Sequence, residues 1–292
     1  MIEINNLYKE FEKNNPVLKQ CSLKINNGTI MGIIGINGSG KSTLFRLLAG
    51  VYYPNDGEVL VDNETIYNNP AVKKKMFYLP DDPYYDQNVT PKDILNLYSC
   101  FYDLDERVYL EYLRVFKIEL KGKMNTFSKG MRRQVFVSLA VACKPKYLLL
   151  DESFDGLDPL SRHIFKKAII DLNIEVGTTV IVASHSLREI EDICDSFGII
   201  DNKKIVLSGD ITDEVNKLYK YQLVFDRSVV KSDFSDFEVL SFQTNGRVIE
   251  VVLRGELIQI EDTISKLKPL VKDQLTISLE ELFLYEVNKE GK

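Results

Sequence analysis

The chain has 292 residues, 45% hydrophobic and 27% charged, which is enough for one large or two smaller globular domains with a real core. Against 37 Lys+Arg stand 43 Asp+Glu, a formal charge of -6, which disfavours a general nucleic-acid or anionic-membrane surface and leaves room only for local basic patches. Cys21, Cys100, Cys143 and Cys194 lie far apart, without a Cys-x-x-Cys pair or a His placed to complete a zinc site, so they read as buried thiols of a reducing compartment. No basic or long apolar segment follows Met1, and the longest helix-like apolar run, Val135–Cys143, is about half of a bilayer span. The chain is expected to be soluble by itself.

Residues 2–62 begin with short strand signals: Ile2-Glu3-Ile4, Cys21 to Ile25, Thr29 to Ile34 and Gly57 to Val61, with Asn26-Asn27-Gly28 as a hairpin turn. Phe11 precedes this turn and reads either as core packing, the preferred sense from the residues alone, or as an aromatic that stacks on a base. The Thr29 strand runs directly into Gly35-Ile36-Asn37-Gly38-Ser39-Gly40-Lys41-Ser42-Thr43, a strand, a glycine loop and a helix start. Such a loop turns several N–H groups inward and, with the helix N-terminus, makes an anion cradle that suits a nucleoside triphosphate. The spacing Gly-x-x-x-x-Gly-Lys-Ser assigns Lys41 to the β- and γ-phosphates and the Ser42 hydroxyl to Mg²⁺. Leu44, Leu47 and Leu48 give the helix an apolar face, and Gly50 ends it.

Met76-Phe77-Tyr78-Leu79 reads as a buried strand stopped by the rigid loop Pro80-Asp81-Asp82-Pro83. Thr90-Pro91-Lys92-Asp93 is a capped helix start, followed by helices at about 91–102 and 105–117. Tyr84, Tyr85, Tyr98, Phe101 and Tyr102 are expected to pack this helical region internally, the alternative being that an exposed subset docks a partner. Phe127-Ser128-Lys129-Gly130-Met131-Arg132-Arg133-Gln134 opens a helix to about Cys143, with Ser128 and Gly130 at an N-terminus that either faces an anion or is simply capped.

Tyr147-Leu148-Leu149-Leu150 is a core strand that ends in Asp151-Glu152, and two carboxylates there need water, metal or a hydrogen-bond partner. Beside a phosphate loop, Asp151 suits Mg²⁺ through a coordinated water, and Glu152 suits a general base or a water-positioning residue. The loop Ser153 to Pro159 leads to a helix from about Ser161, on which His163 reads as a satisfied structural residue. Thr178 to Ala183 is the next buried strand, and it delivers His185 to the edge that carries Glu152. A hairpin, Phe197 to Leu207, closes this part. Beyond about residue 217 come strand-like runs (Tyr221 to Phe225, Phe237 to Phe242, Arg247 to Leu253), a turn at Asn245-Gly246, a helix near 255–268 and another over Leu279 to Val287, without a catalytic constellation.

In this order and spacing the motifs resemble those of the ATP-binding subunit of an ABC transporter, over about residues 1–215. The resemblance makes Gly35 to Thr43 the Walker A motif, Tyr147 to Asp151 Walker B, Glu152 the catalytic glutamate and Ser128-Lys129-Gly130-Met131 the signature. Leu157-Asp158 matches the D-loop, His185 the switch histidine and Phe11 the adenine-stacking aromatic. It implies Glu152, His185 and Lys41 as catalytic residues, with Phe11, Asn37, Gly38, Ser39, Gly40, Ser42, Thr43, Ser128, Gly130 and Asp158 contacting nucleotide. The implied fold is α/β, a P-loop NTPase core with a mixed sheet and flanking helices, an antiparallel β subdomain and a helical subdomain at about 88–145. The ATP-binding domain is expected over residues 1–217 and a small α+β accessory domain over 218–292.

Asp81 stands where this family has its Q-loop glutamine; a carboxylate accepts from a metal-bound water or ligates Mg²⁺ but cannot donate as an amide does, so Asp81 joins Ser42 and Asp151 as a metal candidate. Met131 replaces the signature glutamine, Lys129 a glycine, and Ser153 the proline usual after the glutamate. These departures look like the subfamily that pairs with separately encoded six-helix ABC-2-type permeases, exporters of drugs or antimicrobial peptides. The resemblance implies ATP and Mg²⁺, a homodimer or heterodimer of ATP-binding subunits, a transmembrane permease as partner, and a cytoplasmic place on the inner face of the cell membrane. A soluble ABC ATPase of ribosomes or DNA is disfavoured by the single nucleotide unit and the acidic balance, so no nucleic acid is expected. An uptake ATPase is disfavoured by Asp81 and Met131, and a regulator with dead chemistry by the presence of Lys41, Ser42, Asp151, Glu152 and His185.

Overall fold

Strand β1 (Ile2–Glu12) buries Ile2, Ile4 and Leu7 with a register shift between Ile4 and Leu7, and pairs antiparallel with β2 (Asn15–Ile25). In this computed structural model, which describes residues 1–289, the hairpin turn is Lys13-Asn14, where Asn14 takes φ 64°. Asn26-Asn27-Gly28 is therefore not the expected hairpin. It hands the chain to β3 (Ile30–Ile34), which is buried at every residue and belongs to a second sheet. A strand apolar on both faces needs cover on both sides, which a parallel sheet between helices provides and a half-solvated hairpin does not. The Gly28 N–H donates to Thr179 Oγ1 at 2.8 Å and the Ile30 N–H to the Asp195 carboxylate at 2.9 Å, fixing the crossing.

Helix α1 (Lys41–Leu48) follows, then β4 (Asp56–Val61), β5 (Glu64–Thr65), the short α2 (Pro70–Lys73) and β6 (Met76–Leu79). Next come α3 (Pro91–Tyr98), α4 (Glu106–Val115), α5 (Lys129–Cys143), β7 (Tyr147–Asp151), α6 (Pro159–Asp171), β8 (Thr179–Ser184), α7 (Leu187–Ile193), β9 (Ser196–Asp201) and β10 (Lys204–Asp210). One sheet has the order β2-β1-β4-β5 and the other β10-β9-β3-β8-β7-β6, in which β3–β8, β3–β9, β6–β7 and β7–β8 pair parallel. One apolar cluster joins Ile4, Leu7 and Val59 to Leu44, Phe45 and Leu48 of α1 and to Leu149 and Ile181, so α1 is packed between the sheets.

The capping box of α3 forms as its sequence requires: Thr90 Oγ1 accepts from the Asp93 N–H at 3.2 Å and the Asp93 carboxylate from the Thr90 N–H at 2.9 Å. The helix ends at Tyr98, short of 102. Internal packing holds for Tyr98 and Tyr102, whose rings lie 5.8 and 5.6 Å from Phe77, but Tyr84 and Phe101 are exposed. Cys100 is also exposed and Cys194 half-buried, so only Cys21 and Cys143 are buried thiols as expected. His163 is exposed on α6. Among the described residues no helix is long and apolar enough to cross a membrane.

The chain divides into two units, Met1–Ser208 and Gly209–Lys292, a boundary inside β10 and ahead of the pattern change near residue 217. The second unit contains α8 (Ile211–Val215), β11 (Leu218–Val224), β12 (Glu238–Asn245), β13 (Val248–Arg254), α9 (Leu257–Leu267), β14 (Val271–Leu275) and α10 (Leu279–Lys289). Its sheet has the order β12-β13-β11-β14 with every pair antiparallel, which is a ferredoxin-like topology with the 3-10 turn Lys231–Phe234 in place of the first helix. Ile260 and Ile264 of α9 cover Tyr221, Leu223, Ile249 and Val251. The last three residues of the expected accessory domain lie outside the described residues.

Candidate active site

Three neighbouring parallel strands end at one edge: β3 leads into Gly35, β7 ends on Asp151 and β8 on Ser184, with Ile34 opposite Ser184 and Asp151 opposite Ala183. The carboxyl edge of such a sheet, where α1 starts, is where an open α/β fold binds ligands. A cavity of about 490 Å³ opens there, lined by Asn37, Gly38, Gly40, Lys41, Ser42 and Thr43 of the loop and, facing them, by Asp81, Glu152, Asp155 and His185. Gly40 holds φ 109°, and a Cβ on it would lie 2.8 Å from Leu18 Cδ2, so the loop closes this tightly only with glycine.

Lys41 is 5% exposed. Its ammonium donates to the Gly35 carbonyl at 2.8 Å and to that of Ile36 at 3.4 Å, and lies 3.3 Å from Glu152 Oε1. The Ser42 hydroxyl donates to Asp151 Oδ1 at 3.1 Å, and the Tyr78 hydroxyl to Asp151 Oδ2 at 3.2 Å. Burial pushes the Asp151 carboxyl up, and the hydrogen bonds from Ser42 and Tyr78 only partly offset it. Ser39 differs from the other loop residues: its N–H closes the turn onto the Ile36 carbonyl at 3.1 Å, and its buried Oγ has no partner among the described residues. An orphaned hydroxyl inside a loop of inward N–H groups is what a polar ligand would satisfy.

Glu152 sits in a left-handed conformation, φ 49°. Its N–H donates to the Ala183 carbonyl at 3.0 Å, and its second carboxylate oxygen lies 2.9 Å from His185 Nδ1. The carboxylate is thus bracketed by a cation and an imidazole.

Five expected contacts do not line this cavity, Ser39 of the loop among them. Phe11 is 56% exposed, edge-on to Tyr52 at 5.3 Å with the Lys9 ammonium 5.1 Å from its ring centre, so the core-packing expectation fails. Ser128 Oγ accepts from the Met131 N–H at 3.2 Å and caps α5. Gly130 lies so near the loop after Glu152 that a Cβ would stand 2.5 Å from the Gly156 carbonyl oxygen. Asp158 caps α6, accepting from the Leu160 and Ser161 N–H groups at 3.0 Å.

Asp81, expected as a metal candidate, is held by two cations. It reaches the cavity wall, but its carboxylate lies 2.7 Å from a guanidinium nitrogen of Arg133 and 3.3 Å from the Lys129 ammonium. Burial raises its pKa, and these two cations together outweigh that and hold it below the ordinary carboxylate value. Arg133, 2% exposed, was not singled out from the sequence. The available signal was its register: it stands three and seven residues before the buried Phe136 and Ala140, where a guanidinium must be paired.

A family profile described as ABC transporter matches residues 18–155. Over 286 residues the chain is 30% identical to the ABC transporter ATP-binding protein YtrB of Bacillus subtilis (strain 168), covering 97% of each. The chain belongs to the ABC transporter ATP-binding proteins. This ABC ATPase is also 31% identical over 226 residues to the linearmycin resistance ATP-binding protein LnrL of the same strain, covering 75% of this chain and 72% of that one. It is equally 31% identical over 278 residues to the methionine import ATP-binding protein MetN 1 of Oceanobacillus iheyensis, covering 88% and 80%.

In the ABC ATPase the hydrogen bond to Glu152 raises the His185 pKa above 6.5 against the lowering effect of burial; the charges of Glu152 and Asp155 add to the rise and that of Lys41 opposes it. A group whose pKa is higher folded than unfolded stabilises fully below the unfolded value and loses that contribution as pH rises through the folded one. The half-exposed ring makes the contribution small. Nucleotide-free wild type is therefore expected to lose its thermal-melting advantage over His185→Ala as pH rises from below 6.5 through the raised folded-state pKa. A gap that stays constant or widens across that range overturns the pairing.

Proposed function

We propose that this ABC ATPase energises a separately encoded membrane permease, an ABC-2-type exporter, through Mg²⁺-dependent, ATP-driven pairing of two ATP-binding subunits at the inner face of the membrane. The observation that carries this is the division of the site. Lys41, Ser42, Asp151, Glu152 and His185 meet within one chain, whereas Ser128, Gly130 and Asp158 do not line the cavity. A helix N-terminus with its capping Ser128 attracts anions, and here it lies outside the lining of the glycine-loop cavity. Each ATP would then be held by the glycine loop of one subunit and met at the γ-phosphate by Ser128 and Gly130 of the partner subunit.

The donor set fits Mg²⁺, since Ser42 Oγ and the buried Asp151 offer hard oxygen ligands 3.1 Å apart. Bound there, the ion neutralises charge on the β- and γ-phosphates. The N–H groups of Asn37, Gly38 and Gly40 to Thr43 and the Lys41 ammonium hold the phosphates, and Phe11, exposed on β1, offers a face to adenine. Glu152 takes the proton of a water that attacks the γ-phosphorus; the bond to the β-phosphate oxygen breaks, and ADP and phosphate leave. His185 keeps the carboxylate aimed. Hydrolysis removes the shared ligand, the pair opens, and the permease is moved.

A groove of about 460 Å³ lined by Leu97, Tyr98, Phe101 and Tyr102 supports a permease contact, because Leu97 and Phe101 are apolar and 57% and 59% exposed. Export is supported by Asp81 and Met131 and by similarity to a resistance protein, while equal identity to an import ATPase keeps direction a matter for experiment. The tagged chain, purified from detergent-solubilised membranes, is expected to bring down a polytopic protein in stoichiometric amount and to hydrolyse ATP faster in that complex. Recovery with ribosomes or DNA, or a rate indifferent to the membrane protein, would overturn the reading. Substrate leaving the compartment that holds ATP, in reconstituted vesicles, would give the direction.

A further inference from the structure

The Asp81 carboxylate is paired with Arg133 and Lys129. We infer that Arg133 is a positioning residue that sets the backbone of the catalytic Glu152, and that Asp81 anchors Arg133 for this task.

Arg133 is buried on α5, and its guanidinium fork binds three oxygens at once. One nitrogen donates to the Glu152 carbonyl, and the other to both the Asp81 carbonyl and Asp81 Oδ1, the latter at 2.7 Å. Glu152 holds φ 49°, a conformation that a β-carbon disfavours and that persists only where its surroundings dictate it. Its N–H is fixed by the Ala183 carbonyl and its carboxylate by Lys41 and His185; its carbonyl accepts from the Asp155 N–H at 3.2 Å within the same loop and from Arg133, the one restraint on that carbonyl from a side chain. Those other restraints come from the strands, the phosphate loop and the loop after β7. Arg133 alone comes from the helix that Ser128 opens, and it ties that helix to the base and to the loop after β6 together. A buried guanidinium needs a counter-charge, which Asp81 supplies and glutamine would not. The carboxylate at position 81 is thus matched to the arginine at 133.

The test is steady-state turnover, ATP affinity and Mg²⁺ dependence of the full chain carrying Arg133→Met, Arg133→Lys, Asp81→Ala and the double change Asp81→Ala with Arg133→Met. Arg133→Met is expected to lower kcat by about 10- to 100-fold with ATP Kd within about twofold of wild type, because aim is lost and phosphate binding is not. Arg133→Lys keeps the charge without the fork and should fall in the same direction; it carries the test if Arg133→Met does not fold. Asp81→Ala should lower kcat less, and the double variant should be no slower than Arg133→Met, since both effects pass through one guanidinium. A several-fold higher Mg²⁺ requirement in Asp81→Ala alone, with additive losses in the double variant, would make Asp81 a metal group and overturn the inference. So would wild-type kcat in folded Arg133 variants.

The inference rests on Glu152 as the base. If Glu152→Gln keeps wild-type turnover, that assignment fails whatever the Arg133 variants do. An inactive Glu152→Gln beside fully active Arg133 variants defeats only the positioning role.

Discussion

Glu152→Gln is expected to bind ATP at least as tightly as wild type, to accumulate as an ATP-bound dimer, and to turn over about 10²- to 10⁴-fold more slowly. Glutamine has the shape of glutamate but no basicity, so the attacking water keeps its proton while the phosphate contacts survive. Affinity should not fall, because the substitution removes the carboxylate that lies 3.3 Å from the Lys41 ammonium and competes with phosphate for it. The substituted side chain still fits between Lys41 and His185 and its amide accepts from either. Light scattering after gel filtration with ATP reads the dimer, and single-turnover hydrolysis reads the chemistry. Unchanged single-turnover hydrolysis sinks the assignment of the base.

Lys41→Ala should weaken ATP binding by about 100-fold, equivalent to about 2.7 kcal/mol. The ammonium is buried and already directed by the Gly35 and Ile36 carbonyls, so little ordering remains to be done when phosphates arrive. Its removal also leaves the Glu152 carboxylate, 13% exposed, with the half-exposed His185 as its remaining side-chain partner among the described residues. A drop in nucleotide-free stability of about 1–3 kcal/mol is expected with it. Arginine should not rescue, because a planar fork does not reproduce the contacts of a compact ammonium with the Gly35 and Ile36 carbonyls. A fluorescent-nucleotide titration showing Kd within about threefold of wild type would remove Lys41 from the phosphate site.

The parts of this site legible in the sequence are those where an apolar strand stops on a charge. Leu148 to Leu150 before Asp151-Glu152, and Val180 to Ala183 before Ser184-His185, announce both the strand and its functional end, since a core strand tolerates such residues only at its edge. The hairpin of β1 and β2 was hidden because Lys9 to Gln20 are mostly exposed, with too few buried positions for alternation to register. Strand β14 was missed for the same reason: Val271 to Gln274 are all exposed, on the edge of their sheet. Asn26-Asn27-Gly28 carries the chemistry of a tight turn, but no local rule says that the next strand joins another sheet. Arg133 was hardest to foresee, because its three acceptors are the carboxylate and carbonyl of residue 81 and the carbonyl of residue 152. Two of these are main-chain atoms, which leave no trace in side-chain identity.

The Lys41–Glu152 contact has one more consequence. Without nucleotide the proposed general base is masked by the cation that the phosphates require, so the resting enzyme carries a disarmed carboxylate. ATP that recruits the ammonium unmasks the carboxylate in the same stroke. Substrate capture and the arming of the proposed base then become a single event, set by which anion holds the Lys41 ammonium.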